Sequence, residues 1–303
     1  ELISGIASYI SENIASGLNH FDGTDGATTS TTESGQVVTF GGNAQLDTAQ
    51  KEFGTSSLLL DGSGDYVTMP HNDNWALGAG NFTIDFWVRL NSISQPNGLF
   101  SYDGGTGKRS YYSYWNTANR LHFAYSTDGT AITKGYFLFA PTANTWYHVA
   151  FVRDGAAISC YINGVKNASP YDLNIGTSAI YDPGAGLNIG VDSADGLYTN
   201  GWIDEFRISK GIARWASNFT VPGAAYEPIA DWTTELANIA ELHQALTDND
   251  LRDIFAVVSG ISVADQLAVT ALYRGYLAGI VNGAGYTLAG YIATLLGYDE
   301  AML

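Results

Sequence analysis

The aromatic run Ser110-Tyr111-Tyr112-Ser113-Tyr114-Trp115 is the segment best suited to hold a sugar. Side chains alternate along a strand, which puts Tyr112 and Tyr114 on one face and sets Tyr111 and Trp115 apart from them. His122 and Trp87 occupy the polar-side positions of their own alternating strands. Aromatic rings stack on the apolar faces of sugars, and Asn, Asp or His beside them bond the hydroxyls. Trp87, Tyr112, Tyr114, Trp115 and His122 are therefore the expected glycan platform. The same rings would serve equally to cover a second sheet face or a neighbouring subunit, because tyrosine is enriched at interfaces of every kind.

A second chemistry is suggested by carboxylates. Trp202, Asp204, Phe206 and Ile208 share one face of a strand because side chains alternate, so a core placement would leave Asp204 among aromatics. A buried ionised carboxylate needs a partner or a metal. Asp22 sits at the end of the first strand beside Gly23, with Asp25 close behind. One structural Ca2+ held by Asp22, Asp25, Asp204 and backbone carbonyls would satisfy these groups and pin the first strand to the last. The other reading gives Asp22 an Asx-turn and pairs Asp204 with an arginine or backbone N–H groups. No EF-hand pattern is present to choose between them.

Catalytic patterns are absent from the sequence. It has no GxSxG, GxxxxGK[ST] or HExxH, and no GxGxxG between a strand and a helix. His20, His71, His122, His148 and His243 are scattered without ligand spacing; His148, beside Trp146 and Ala150, reads as a satisfied core histidine. A glycosidase needs two carboxylates about 5–10 Å apart across a cleft. Asp204 and Glu205 are adjacent and face opposite ways, and alternation from them reaches Phe206 and Arg207 rather than another acid. The expectation is a protein that is not an enzyme.

The elements that must position these residues follow from composition and periodicity. The 303 residues are 46% hydrophobic and 14% charged, with a formal net charge of -17. Such a chain buries a core, and its negative surface repels phosphate backbones, so nucleic acid is not an expected partner. The single Cys160 excludes an intrachain disulfide and cysteine-based zinc ribbons. The chain opens on Glu1 rather than Met, which suggests processing or a start within a longer product. Residues 1–17 carry Leu2, Ile3, Ile6, Tyr9, Ile10 and Ile14 at helical spacing. Residues 18–227 switch to a period of two, clearest in Phe82, Ile84, Phe86, Val88 and Leu90. Asn163-Gly164 and several Asp-Gly pairs punctuate that region as turns. Many short strands without intervening helices predict a mainly β fold, an antiparallel two-sheet sandwich. Residues 228–303 return to helical spacing with capping-box starts at Thr247 and Ser262. Gly275–Tyr298 is uncharged and long enough to consider as a membrane span. The Asn282-Gly283-Ala284-Gly285 break and the lack of a flanking basic cluster favour a buried helical hairpin instead.

Taken in order, several segments resemble a known family. They are His20-Phe21-Asp22-Gly23, the run Phe53–Val67, Phe82–Val88, Trp146–Gly155, Tyr161-Ile162-Asn163-Gly164, Gly201–Ser209, Ala213-Arg214-Trp215 and Asn218-Phe219-Thr220. Over about residues 20–226 they resemble the laminin G-like, concanavalin A-like domains, especially the version frequent in bacteriophage structural proteins. The resemblance implies a jelly-roll sandwich that binds glycans or proteins, often with a structural calcium. The corresponding expectation is a virion-surface protein of a tail fibre, baseplate or capsid. Its sandwich would meet a host surface glycan, and residues 1–17 and 228–303 would join other virion subunits in a homo-oligomer. A bacterial secreted or cell-surface adhesion module, and a decoration protein that binds no sugar, are the alternatives.

Overall fold

The computed structural model describes residues 16–167 and 173–226. The helical segment expected at 228–303 lies outside these residues, as does all of the expected N-terminal helix except Ser16 and Gly17. Those two are not helical: they open the strand Ser16–Asn19, which pairs antiparallel with Asn200–Lys210 and sets Gly17 opposite Ile208. Gly17 lies so close to Trp75 that a Cβ there would sit 2.9 Å from the indole. Sheet pairing and this contact fix Ser16 and Gly17 in a strand, while the residues that carry the helical apolar spacing, Leu2 to Ile14, lie outside the described residues.

Two large antiparallel sheets form the sandwich. One runs Val165–Lys166, Ala157–Ile162, Trp146–Asp154, Phe82–Leu90, Asn200–Lys210, Ser57–Asp61, Gln45–Asp47, with Ser16–Asn19 and Leu173–Asn174 attached to it. The other runs Thr133–Leu138, Arg120–Tyr125, Tyr111–Asn116, Asn97–Tyr102, Leu187–Ile189, Tyr66–Met69, Val37–Gly41, Thr29–Thr31. Strands distant in sequence lie side by side in both, the crossed connectivity of a jelly roll. A short ribbon, Val191–Asp192 with Leu197–Tyr198, packs beside the second sheet.

The alternation read from the sequence places the core correctly. Phe82, Ile84, Phe86, Val88 and Leu90 all point inward. Phe100 is a hub, with Phe86, Phe206 and Phe151 at 5.9, 5.8 and 6.0 Å in edge-on contacts, the geometry that aromatic quadrupoles favour. Asn163 and Gly164 both adopt positive φ, 48° and 76°, and close a two-residue hairpin between Ile162 and Val165, as their types require.

The last strand departs from the expected parity. A bulge lies between Asp204, which pairs with Trp87, and Arg207, which pairs with Asp85, and Glu205 adopts φ 50°. The extra residue flips the side-chain alternation. Ile203, Phe206 and Ile208 join the core, while Trp202 and Asp204 point outward, so the four residues expected on one face are divided between two.

The outer face of the nine-stranded sheet is itself covered. Ala213, Trp215 and Phe219 pack on Ala150, Val152 and Tyr161, with Trp215 and Phe219 stacked at 3.8 Å. His148 is fully buried, but under this outer layer rather than between the sheets.

Candidate functional site

The outer face of the eight-stranded sheet carries a connected aromatic row. Pairing sets Tyr114 opposite His122 and His122 opposite Tyr136, so three adjacent strands each supply a ring at one level. Tyr114 and His122 stack nearly parallel at 4.4 Å, Tyr112 and Tyr114 stack at 6.5 Å, and His122 meets Tyr136 at 5.7 Å. Two cations overlie the row. Lys134 Nζ is 5.0 Å from the Tyr114 ring centre and 5.4 Å from that of Tyr112, and the Arg120 guanidinium is 4.4 Å from Tyr136. Lys134 also pairs with Asp195 at 3.4 Å, at the tip of the short ribbon, and Asn116 Nδ2 meets His122 Nε2 at 3.0 Å. Burial, with Lys134 and Arg120 nearby, pushes the His122 pKa down to about 4. The imidazole is therefore neutral at ordinary pH, a flat ring rather than a charge.

Of the five expected platform residues, the fold brings Tyr112, Tyr114 and His122 together and separates the other two. Trp115 is a core residue, 1% exposed, and its Nε1 donates to the Phe139 carbonyl at 2.9 Å. Its odd position along the strand directs it inward with Tyr111. Trp87 belongs to the other sheet, where Phe53 and His148 pack edge-on against it at 5.6 and 5.3 Å. Lys134, Tyr136, Arg120, Asn116 and Asp195 were not anticipated. The strand Thr133–Leu138 holds the signal, since Lys134, Tyr136 and Leu138 alternate with Gly135 and Phe137. The glycine interrupts the inward apolar pattern that would have revealed it.

The three expected calcium ligands are engaged otherwise. Asp204 is fully buried; its Oδ2 accepts the N–H groups of Glu52 and Phe53 at 2.9 and 3.1 Å, and its Oδ1 accepts that of Glu205. Asp22 Oδ1 accepts the N–H of Thr55, the Thr55 hydroxyl at 2.9 Å and the N–H of Ser56 at 3.2 Å. Asp25 is bound to Thr48. Hydrogen-bond donors thus point at the oxygens a cation would need, and among the described residues no three His, Cys, Asp or Glu converge on a metal position. The residues present do not fit the calcium ion. Both carboxylates hold the one loop 52–56 instead, and this loop ties the first strand to the last. Gly54 in that loop adopts φ 60°, and a Cβ there would collide with the Asp22 carboxylate. Burial, with Glu205 adjacent and the loop N–H groups opposing, raises the Asp204 pKa to about 7.

The bulge also organises a buried polar layer. Arg207 binds the fully buried Asp85 through two bonds, Nε to Oδ1 at 3.1 Å and Nη2 to Oδ2 at 2.8 Å. Burial favours the neutral acid, yet Arg207 and His148 hold the Asp85 carboxyl far below the usual range. Tyr226 closes the layer: its hydroxyl meets His148 Nε2 at 3.0 Å, and its ring lies 3.7 Å from the Arg207 guanidinium. Its N–H donates to Glu205 Oε2 at 2.8 Å.

A family model described as the concanavalin A-like lectin/glucanases superfamily, of laminin G type, matches residues 61–216. No curated protein matches the chain. Among solved structures, the botulinum neurotoxin serotype D ligand binding domain in complex with N-acetylneuraminic acid is 20% identical with a TM-score of 0.49; the match covers 68% of this chain and 50% of that one. The binding domain of Paraclostridial Mosquitocidal Protein 1 is 14% identical with a TM-score of 0.49, covering 67% and 50%. A botulinum neurotoxin type C structure, from work on its dependence on two ganglioside molecules for cell entry, is 16% identical with a TM-score of 0.47, covering 72% and 50%. The match thus spans about half the length of each of these structures.

Proposed function

The chain belongs to the concanavalin A-like lectin/glucanases superfamily, and on that premise we propose that it is a non-catalytic module that binds glycan on the outer face of its eight-stranded sheet. The observation that carries this reading is the ring row Tyr112, Tyr114, His122 and Tyr136 crossed by Lys134 and Arg120. Tyr112 and His122 are buried, whereas Tyr114 and Tyr136 are half-buried and Lys134 and Arg120 are exposed, so these two rings and the two cations are the parts of the row that solvent reaches. Flat apolar faces flanked by directional polar groups are what a sugar ring needs. Binding without turnover is supported by the state of the likeliest acids for catalysis. Asp204 accepts from backbone N–H groups, and Glu205 is bonded to His20 and to the Tyr226 N–H, so both acids are engaged in hydrogen bonds that hold the fold together.

The same reading sets the module on the surface of a bacteriophage virion. That setting rests on the ordered motifs that resemble phage structural proteins and on the glycine-rich apolar segment near the C-terminus. Residues 1–17 and 228–303 would then join it to other subunits or to copies of itself. Electron microscopy of native particles carrying the protein tests this setting.

The binding reading is tested by a glycan array followed by calorimetry on the best sugar. Removing one stacked ring forfeits about 0.5–1.5 kcal/mol, so Tyr114→Ala should weaken binding up to about tenfold. Val165→Ala, on the far edge of the other sheet, should leave it unchanged. An array without hits, or an affinity indifferent to Tyr114→Ala, refutes the proposal. A changed oligomeric state in Tyr114→Ala would instead mark this face as a subunit contact.

A further inference from the structure

We infer that the short ribbon 191–198 is a pH-sensitive clasp, which holds Lys134 against the ring row in acid and releases it at neutral pH. Its effect on ligands rests on the glycan reading of that row; the motion of the ribbon does not. The base of the ribbon is fastened to the strand Asn97–Tyr102. The Ser101 hydroxyl bonds the Val191 carbonyl at 3.0 Å and the Ser193 hydroxyl at 2.8 Å, and the Thr199 hydroxyl donates to the Gly98 carbonyl. A Cβ on Gly98 would collide with the Asp192 nitrogen and the Leu197 carbonyl, so the glycine lets the two lie this close.

The tip, residues 194–196, rests on two carboxylates. Asp192 Oδ1 accepts the N–H groups of Ala194 and Asp195 at 2.9 and 3.4 Å. Asp195, exposed at the tip, reaches Lys134 Nζ at 3.4 Å, and the same ammonium donates to the Tyr114 hydroxyl at 3.4 Å. Asp192 closes the turn that aims Asp195 at Lys134. Yet Asp192 is fully buried, and its Oδ2 has no partner among the described residues. A buried polar atom without a partner is costly, and a charged one more so. The neutral acid tolerates this position better than the carboxylate does. Opening the tip, rather than unfolding the sandwich, is enough to bring Oδ2 to water.

The groups around Asp192 leave it as the element that titrates. Burial first, and then Asp195, raise its pKa to about 6, against the turn N–H groups and Lys134. Burial lifts the pKa of Tyr112, so that ring stays neutral. Burial opposes a charge on Lys134, but Tyr112, Tyr114 and Asp195 hold its pKa above the ordinary value. His122, at about 4, is largely neutral above that pH, and Arg120 beside it keeps its charge. An Asp192 exposed by opening returns toward the ordinary value of about 3.9. The closed ribbon therefore keeps a proton that the open one gives up, so closure is favoured in acid and weakens as pH rises through 6. From pH 4.5 to 7.5 the equilibrium constant for opening should rise about twentyfold.

The test is amide hydrogen exchange by NMR on the full chain, corrected for the intrinsic pH dependence of exchange, which reports local opening. Opening constants at Ala194 and Asp195 should rise about twentyfold between pH 4.5 and 7.5 in the parent and stay level in Asp192→Asn, which keeps the Oδ1 acceptor. Phe123, in a strand paired on both sides, should remain far better protected than the tip at both pH values. Should Asp192→Asn fail to fold, Asp195→Ser at the exposed tip replaces it: without the neighbouring charge the rise should shrink. The inference is overturned if the tip constants do not change with pH, if Asp192→Asn or Asp195→Ser keeps the full rise, or if Phe123 opens as readily as the tip. Release of Lys134 frees a donor, so glycan affinity should be higher at pH 7.5 than at 4.5 in the parent and equal at both in Asp192→Asn. A glycan array without hits defeats the reading of the ring row alone, because the exchange measurement needs no sugar.

Discussion

Replacing Arg207 with methionine strands a carboxylate in the layer beneath Trp215 and Phe219. Asp85 is fully buried and receives two hydrogen bonds from Arg207; the remaining cationic candidate is His148, at 3.4 Å. Breaking a buried pair by removing one partner typically costs about 3–5 kcal/mol. His148 Nε2 remains 3.4 Å from the stranded carboxylate, so the lower end, about 3 kcal/mol, is expected. For a domain of this size the melting midpoint should fall by about 10 °C. The pH dependence distinguishes this mechanism from simple loss of packing. In the parent, the folded Asp85 pKa lies below the unfolded value of about 3.9. Its contribution is therefore present above pH 4 and disappears as pH falls toward the folded pKa. In Arg207→Met burial dominates and lifts the folded pKa above the unfolded one. The folded variant then takes up a proton that the unfolded chain lacks, so its deficit should narrow as pH drops from 7 toward 5. Urea unfolding of parent and variant at the two pH values measures this. A deficit below about 1 kcal/mol at pH 7, or one that widens at pH 5, refutes the reasoning. Adding Asp85→Leu to Arg207→Met should restore part of the loss, because a buried pair can be exchanged for apolar groups more cheaply than it can be halved.

Gly54→Ala should destabilise by about 1–3 kcal/mol in thermal unfolding, since the new Cβ meets the Asp22 carboxylate and positive φ disfavours a side chain; an unchanged midpoint would show that the 52–56 loop is not clamped. Asp204, with its folded pKa near 7, keeps a proton between about pH 4 and 7 that the unfolded chain releases. Its contribution to stability therefore declines as pH rises through that window, and Asp204→Asn should flatten this slope in urea midpoints taken from pH 4.5 to 8. EDTA should leave the melting midpoint unchanged, because a cation bound only to the folded state would stabilise it and the three carboxylates are already spent on backbone and hydroxyl donors; a lower midpoint would mean that a metal is bound elsewhere. Tyr226→Phe removes one hydrogen bond to the buried His148 and should cost about 1 kcal/mol, seen as a lower urea midpoint without loss of sugar binding.

What the residues alone determined was the local geometry. Alternation in Phe82–Leu90 separated core from outer face, Asn163-Gly164 declared its hairpin, and the absence of helical spacing from 18 to 227 implied stacked antiparallel layers. Each of these depends on neighbours in sequence, where side-chain period and turn sterics act directly. Tyr112, Tyr114 and His122 were legible for the same reason, as residues of one parity on two strands.

What only the tertiary structure decided was whatever joins distant segments. Whether Trp87 and the tyrosines share a sheet is a matter of topology, which parity does not encode. The extra residue at Glu205 has no signature in Trp202–Ile208, because a bulge registers against its partner strand, here about 120 residues away. It alone turned Asp204 outward and Phe206 inward. The need to satisfy Asp22 and Asp204 could be seen in the sequence, but the amide donors that meet it come from residues 52–56. A carboxylate binds whichever donor the fold delivers, and only the assembled sandwich delivers that loop in place of an ion.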